Sequence, residues 1–285
     1  MRKRESKQQC YPTWAHVAGL GEEYMNQQDI RSAAAILWQH WQQSTRLDEL
    51  PAHCRPGSRA EGYAIQAEVA KQSGQRIVGW KIAATSAAGQ QHIRVDGPLA
   101  GCLLSARALE AGANISLAGN LMKVAETEFA FRIARPLPKR AEAYSVAQVL
   151  AAVASMHPAI EVPDSRYEDF TRVGAAQLIA DVACACWFVI GPATHADWRD
   201  VDLAQHSVAA YRNGALAGQG SGANVLGDPR SALAWIANEL STHGHGLRAG
   251  DVVMTGTCLT PVPVSAGDRV KADFCEFGAL EVGFV

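Results

Sequence analysis

Lys123-Val-Ala-Glu-Thr-Glu-Phe-Ala-Phe-Arg-Ile133 alternates in the manner of a β-strand. One side of that strand would carry Ala125, Thr127, Phe129, Phe131 and Ile133, and the other Val124, Glu126, Glu128 and Arg132. Two carboxylates two residues apart on a strand point the same way, so Glu126 and Glu128 are placed to bind one cation. Without a cation they would repel each other. A solvated strand face is the alternative interpretation.

A third candidate ligand, Glu161, lies in a second strand-like stretch, Pro158-Ala-Ile-Glu-Val-Pro163. Its neighbours are apolar, and a lone carboxylate among them would be costly unless it were paired or bound to a metal. Carboxylate oxygens with no His or Cys nearby suit a hard ion. The sequence therefore predicts a Mg²⁺ or Mn²⁺ site at Glu126, Glu128 and Glu161. The alternative is that Glu161 is an acid unrelated to the pair.

The composition argues against several classes of partner. The chain has 285 residues and 48% hydrophobic content, enough for one large domain or one domain with an appendage. Because the net charge is -2 and the pI is near 6.5, nucleic acid is not expected as a partner. No apolar run is long enough to span a bilayer, and the first residues lack the apolar core of a secretory signal. We therefore expect no membrane partner and a cytoplasmic location.

The cysteines are odd in number and scattered along the chain. There are seven of them, and Cys184 and Cys186 lie in an apolar stretch. Small buried thiols in a reducing compartment are the favoured interpretation, over a disulfide or a zinc site.

Helix and strand signals divide the chain into a helical N-terminal portion, residues 1–75, and a strand-rich catalytic domain, residues 76–285. Caps at Asp29 and Ser58 predict helices ending near Leu47 and Gln72. In the second part, the signals predict helices over 145–156 and 228–242 and strands over 76–82, 251–255, 269–274 and 279–285. Strands outnumber helices without regular interleaving, which favours an α+β fold with a mixed, rolled or barrel-like sheet.

Three further residues are candidates for the chemistry. Lys81 lies in a largely apolar strand, where it either extends to solvent or sits near a metal with a pKa lowered toward neutrality and carries protons. Arg166 either orients a carboxylate, binds substrate or forms a surface salt bridge. Thr257 ends the predicted strand at Thr255-Gly-Thr257, where a ligand-facing hydroxyl or amide and a plain turn are both possible.

Several blocks in order resemble the 2-keto-4-pentenoate hydratase / 4-oxalocrotonate decarboxylase family, part of the fumarylacetoacetate hydrolase superfamily. The resemblance runs from about residue 59 to the end, and its order and spacing make it specific. The blocks are Gly79-Trp-Lys-Ile-Ala-Ala-Thr-Ser86, Val95-Asp-Gly-Pro98, Glu126-Thr-Glu128, Ala159-Ile-Glu-Val-Pro-Asp-Ser-Arg166, Asn224-Val-Leu-Gly-Asp-Pro229, Leu247-Arg-Ala-Gly-Asp251 and Met254-Thr-Gly-Thr257.

The resemblance implies the rolled mixed sheet of that superfamily, a divalent ion held by Glu126, Glu128 and Glu161, and a 2-oxo acid bound beside Lys81. It implies a lyase of aromatic catabolism that adds water to a 2-hydroxy-2,4-dienoate or 2-oxo-enoate and gives a 4-hydroxy-2-oxo acid. It also implies a homo-oligomer. Alternatives left open are a 4-oxalocrotonate-type decarboxylase, a C–C bond hydrolase of an acylpyruvate-like diketone and a non-catalytic 2-oxo-acid-binding paralogue.

The sequence departs from the family pattern at two places that bear on the reaction. Leu99 follows Pro98 where hydratases of the family carry an acid, although Asp96 is retained. The family's Ala-Asp-Asn-Ala-Ser block reads Ala180-Asp-Val-Ala-Cys184, which loses an amide and a hydroxyl. The first change puts the hydration step in question, and the second favours a different or more apolar substrate.

Overall fold

The computed structural model describes residues 25–285, which begin with two α-helices. Helix α1 spans Gln27–Gln43, because the Asn26 side chain, and not Asp29, accepts hydrogen bonds from the first free backbone amides. It ends where Ser44 takes a left-handed conformation. Helix α2 spans Arg59–Gln72 and begins at Ser58, which forms the expected cap together with Glu61.

The described residues contain thirteen strands, all of them in the second part of the chain. They are, in chain order, β1 (Ile77–Ala83), β2 (Leu99–Leu104), β3 (Ala108–Leu109), β4 (Asn114–Ile115), β5 (Val124–Ile133), β6 (Val153–Val162), β7 (Trp187–Ile190), β8 (Ser207–Arg212), β9 (Ala215–Ser221), β10 (Val252–Thr257), β11 (Val262–Pro263), β12 (Arg269–Asp273) and β13 (Ala279–Phe284).

The strands form two mixed sheets. The larger one has the order β2-β1-β10-β5-β6-β7-β3, with β11 also paired to β5. The smaller one has the order β4-β13-β12-β8-β9. Strands β1 and β10 run parallel, whereas β5 is antiparallel to both β10 and β6. Strand β5, the stretch quoted first, is therefore central to the larger sheet.

The predicted helix over residues 145–156 is wrong in its second half. Helix α4 spans only Val146–Leu150, and residues from Val153 onward belong to β6. The cap at Ser145 is present, so the start of the helix was predicted correctly. Pro158 disfavours a helix through the preceding residues, and the segment instead pairs with β5 from Ile133 to Glu126. Long-range pairing therefore overrides the local helical pattern.

Three helices remain, namely α3 (Ala87–Ile93), α5 (Gly174–Ala180) and α6 (Pro229–Thr242). Helix α5 packs against β2, and α6 packs against β2 and β10. Helix α6 begins at Asp228 with Pro229 in its first turn, as predicted. Within the described residues, no helix is both long and apolar enough to cross a bilayer. Of the six described cysteines, all are free thiols and only Cys275 is exposed, so the expectation of buried thiols holds for the other five.

Candidate metal and substrate site

The three predicted carboxylates come together on two neighbouring strands. Glu126 and Glu128 point from β5, and the strand register places Glu161 of β6 directly opposite Glu126. One carboxylate oxygen from each lies within 4.8 Å of the others. The antiparallel pairing of β5 with β6 thus brings together residues more than thirty positions apart in the sequence.

Burial leaves several oxygen atoms of this group without a partner. Glu128 and Glu161 have 0% exposure. Neither oxygen of Glu161 accepts a hydrogen bond, and neither does Oε1 of Glu128. Unpartnered carboxylate oxygens in the interior cost several kcal/mol unless they are neutralised or bound to a cation. This donor set fits a hard divalent ion, and the solvated strand face is excluded for Glu128.

The electrostatics of the metal-free group are unfavourable. Burial, followed by repulsion from Glu161, raises the pKa of Glu126 to about 7, against the opposing attraction of Lys81. Burial, followed by the two neighbouring carboxylates, raises the pKa of Glu128 well above its usual value. The pKa of Glu161 is raised by burial as well. Such a cluster favours either protonation or a bound cation at neutral pH.

Lys81 reaches this group from β1. Its Nζ lies 3.2 Å from Oε1 of Glu161 and donates a hydrogen bond of 3.0 Å to the carbonyl of Ala183. The contact with Glu161 is an ion pair without hydrogen-bond alignment, since that oxygen accepts no hydrogen bond. Burial alone would lower the pKa of Lys81, but the three carboxylates, Glu161 foremost, raise it.

The contact between Lys81 and Glu161 shows how strongly the larger sheet curls. Strands β1 and β6 are separated by β10 and β5. On a flat sheet, that separation would be about 14 Å. The two side chains meet because the sheet rolls and turns both residues toward its concave side.

An unusual turn over Val182–Cys184 supplies the partner of Lys81. All three residues have positive φ, at 56°, 48° and 62°. Such a run is rare outside glycine and needs support from its surroundings. That support includes Gly101 of β2, where a Cβ atom would lie 2.1 Å from the carbonyl oxygen of Val182. Apart from the altered Ala180–Cys184 block, no sequence pattern indicates this turn.

Arg166 is fully enclosed and is directed at Asp181. It forms an ion pair with the Asp181 carboxylate and donates hydrogen bonds to the carbonyls of Asp164 and Ala185. Its guanidinium also lies 4.1 Å from the ring centroid of Trp41 on α1. These contacts connect the N-terminal helices to the segment that carries Ala183. The predicted substrate-binding role of Arg166 stays a prediction.

The Thr255–Thr257 segment contacts the metal-ligand group through its backbone. The amide of Gly256 donates a 2.8 Å hydrogen bond to Oε2 of Glu128. Gly256 has φ of +105° at an irregularity in the pairing of β10 with β5, so the predicted turn is a bulge within a strand. The hydroxyl of Thr257 donates to the carbonyl of Leu259, and its predicted contact with substrate is not tested by this arrangement.

The two positions at which the sequence departs from the family pattern have different surroundings. Leu99 on β2 is fully buried. The retained Asp96 has a side chain 86% exposed, paired with Arg59 at the surface. Cys184 stands near Lys81, and burial raises the pKa of its thiol to about 12. No acid at position 96 or 99 therefore faces the carboxylate group.

Comparison with known proteins gives matches over most of the chain. A family model described as fumarylacetoacetate (FAA) hydrolase C-terminal matches residues 80–285. The chain is 34% identical over 258 residues to a 2-keto-4-pentenoate hydratase of Burkholderia vietnamiensis (strain G4 / LMG 22486), covering 90% of this chain and 97% of that protein. It is 37% identical over 214 residues to a 2-hydroxyhexa-2,4-dienoate hydratase of Comamonas testosteroni, covering 74% and 80%.

Among solved structures, 4-oxalocrotonate decarboxylase from Pseudomonas putida G7, complexed with magnesium and adipate, is similar over most of its length. The TM-score is 0.82 at 27% sequence identity. The match covers 91% of this chain and 98% of that one.

Proposed function

The chain belongs to the fumarylacetoacetate hydrolase C-terminal family, and on that premise we propose that it is a metal-dependent hydro-lyase of aromatic catabolism. Its substrate would be a 2-hydroxy-2,4-dienoate or 2-oxo-enoate, and its product a 4-hydroxy-2-oxo acid. The family membership confirms the resemblance predicted from the motifs, and the likeness to the decarboxylase confirms the α+β fold with a rolled mixed sheet.

One observation carries the proposal, namely the buried carboxylate group with unpartnered oxygens beside a buried lysine. Glu126, Glu128 and Glu161 would hold Mg²⁺ or Mn²⁺, and the magnesium in the related decarboxylase structure supports the first. When bound, the cation supplies Lewis-acid polarisation of a 2-oxo group. The Gly256 amide keeps Glu128 oriented, because it occupies one oxygen and leaves the other free.

Lys81 would act on the substrate directly. Its Nζ is held between the carbonyl of Ala183 and Glu161, so the ammonium has a defined position on the concave side of the sheet. That position suits attraction of the substrate carboxylate. It also suits holding a proton at Nζ for transfer to or from the conjugated carbon chain. Because the surroundings are buried, the charge of the ammonium is only weakly screened.

Decarboxylation is the second candidate, and Leu99 favours it. Hydration needs a group that activates water, and the described structure places no acid at position 99. Loss of CO₂ needs only a 2-oxo group that accepts the electron pair, and a proton donor. The proton is added to the conjugated carbon chain after the carboxylate has left. The proton can come from Lys81 Nζ. The related decarboxylase shows that this fold accommodates such a reaction in a protein 27% identical to this chain.

The hydrolase alternative would use a histidine–glutamate pair to activate water. His40 lies at the surface beside Thr45, and His53 is exposed. His16 lies outside the described residues. No described histidine shares the carboxylate group of Glu126, Glu128 and Glu161. The geometry therefore favours the two lyase reactions over C–C hydrolysis.

A substrate screen distinguishes these reactions. Purified protein is incubated with Mg²⁺ or Mn²⁺ and with 2-hydroxydienoates or 2-oxo-enedioates. Loss of the ultraviolet absorbance of the conjugated substrate and release of CO₂ are measured separately. Absorbance loss without CO₂ is the expected result for a hydratase, and both signals together would assign a decarboxylase. Metal-dependent ligand binding without either signal would indicate the non-catalytic paralogue and contradict the proposal.

A matched pair of variants tests the metal site itself. Glu161→Gln should abolish Mg²⁺ binding by calorimetry, because it removes a buried charged ligand. Glu110→Gln changes an exposed glutamate and should leave that affinity unchanged. Unchanged Mg²⁺ affinity in Glu161→Gln would refute the site. The homo-oligomeric assembly and the cytoplasmic location stay predictions.

A further inference from the structure

A second group of potential metal ligands lies in the smaller sheet. His206 directly precedes β8, and Cys275 and Glu276 form the turn between β12 and β13. Strands β8 and β12 are hydrogen-bonded neighbours, which brings the turn to His206. One ligand atom of each residue lies within 4.8 Å of the other two.

The tautomer of His206 is set by its surroundings. Its Nε2 lies 2.9 Å from the carbonyl of Phe274. A carbonyl only accepts hydrogen bonds, so Nε2 carries the proton and Nδ1 presents a lone pair. Metal-binding histidines are commonly oriented in this way by a backbone carbonyl. The ring is also packed 4.2 Å from the ring of Phe277, which restricts its rotation.

The Nδ1 atom of His206 lies near the Glu276 carboxylate. Its Nδ1 is 3.7 Å from Oε1 of Glu276. Tetrahedral coordination with Zn–N and Zn–O bonds of about 2.0–2.2 Å separates such a nitrogen and oxygen by about 3.3–3.5 Å, so a small movement of the exposed Glu276 side chain brings this pair to the required spacing. The Cys275 sulfur donates weakly to the carbonyl of Ser207, at 3.7 Å, and that contact could be exchanged for a metal bond.

Cys275 differs from the other described cysteines. It is the exposed one. Its backbone has φ of 53°, a conformation that non-glycine residues adopt at a cost and that it shares with Cys184. Glu276 is also open to solvent, with a side chain 57% exposed. A metal ion could therefore enter from solvent and still find the buried imidazole as a fixed ligand.

We propose that His206, Cys275 and Glu276 form a second metal site, selective for a borderline divalent ion such as Zn²⁺. Its imidazole, thiolate and carboxylate ligands differ from the all-carboxylate group at Glu126, Glu128 and Glu161. Soft and borderline ligands favour Zn²⁺ over Mg²⁺, and a three-ligand site leaves the fourth position open to water. The His206, Cys275 and Glu276 group should therefore prefer Zn²⁺, and the all-carboxylate group should prefer Mg²⁺.

Cd²⁺ titration of the full chain tests this site, because a thiolate bound to Cd²⁺ gives an ultraviolet charge-transfer absorption. Cys10, outside the described residues, is first replaced by Ser, and Mg²⁺ is kept saturating. We expect the absorption to rise to one equivalent of Cd²⁺ per chain, to disappear in Cys275→Ser and to persist in Glu161→Gln. Absence of the absorption, or its persistence in Cys275→Ser, would overturn the proposal.

A second measurement keeps Cys275 in place, so its result does not depend on whether Cys275→Ser disturbs the turn. Zn²⁺ should slow alkylation of Cys275 in the Cys10→Ser protein. Glu276→Gln changes only an exposed side chain. It should raise the Zn²⁺ concentration that gives half-maximal protection by at least about tenfold. Glu281→Gln, an exposed glutamate on the neighbouring β13, serves as the matched control. An alkylation rate that does not respond to Zn²⁺ would likewise overturn the proposal.

Discussion

Replacing Glu126 by Gln should stabilise the metal-free protein while it removes metal binding. The substitution keeps the shape of the side chain and deletes one charge from the carboxylate group. Burial and repulsion by Glu161 raise the pKa of Glu126 to about 7 in the folded state, although Lys81 opposes them. The ionised carboxylate therefore opposes folding when no cation is present.

The size of this effect depends on pH. An acid whose pKa is raised from 4.5 to about 7 on folding holds its proton more tightly in the folded state. Stability is then unaffected below pH 4.5 and falls as the pH rises toward and past 7. By linkage, the cost of Glu126 in the metal-free protein is about 1 kcal/mol at pH 5 and about 3 kcal/mol at pH 8. The variant should recover that amount at each pH.

Urea denaturation in the presence of a chelator, at pH 5 and pH 8, measures the free energy of unfolding of both proteins. Glu126→Gln should be more stable than the wild type by about 3 kcal/mol at pH 8 and by about 1 kcal/mol at pH 5. With Mg²⁺ at one hundred times its dissociation constant, the wild type should gain about 2.7 kcal/mol and the variant nothing. Destabilisation of Glu126→Gln by the same amount at both pH values would refute the electrostatic reasoning.

Two further predictions concern the residues around the carboxylate group. Lys81→Met should abolish turnover. The Mg²⁺ affinity measured by calorimetry should be at least as high as in the wild type, because the substitution removes a competing positive charge beside Glu161. Full activity of the variant would refute the role assigned to Lys81. Asp181→Asn should lower the free energy of unfolding by about 3–5 kcal/mol, because it leaves the buried Arg166 without its counter-charge. The control Asp96→Asn, at an exposed ion pair, should cost less than about 1 kcal/mol, and equal losses in the two variants would contradict the assignment.

Much of the candidate site could be predicted from local sequence. Alternation places Glu126 and Glu128 on the same side of one strand, and this holds for any sheet that contains β5. The apolar neighbours of Glu161 indicated that its carboxylate needs a partner. The capping residues Ser58 and Asp228 likewise specified the starts of α2 and α6, because a cap acts within its own first turn.

Other features depend on contacts between distant segments. The helical pattern after Ser145 continues past Leu150 in the sequence, yet pairing with β5 turns the residues from Val153 into a strand. No local signal indicates that Arg166 pairs with Asp181. Nor does any local signal indicate that Val182–Cys184 adopts three positive φ values, which depend on the absence of a side chain at Gly101.

The sequence by itself determined which residues are candidates for the chemistry, namely the acids of β5 and β6 and the lysine of β1. Strand periodicity and ligand type act locally, so they can be read from neighbouring residues. Only the tertiary structure decided that these groups meet. The curl of the sheet brings Lys81 within 3.2 Å of Glu161, and burial leaves Oε1 of Glu128 and both oxygens of Glu161 without a hydrogen bond. Proximity and dehydration are properties of the packed chain, because they arise from strands that are far apart in the sequence.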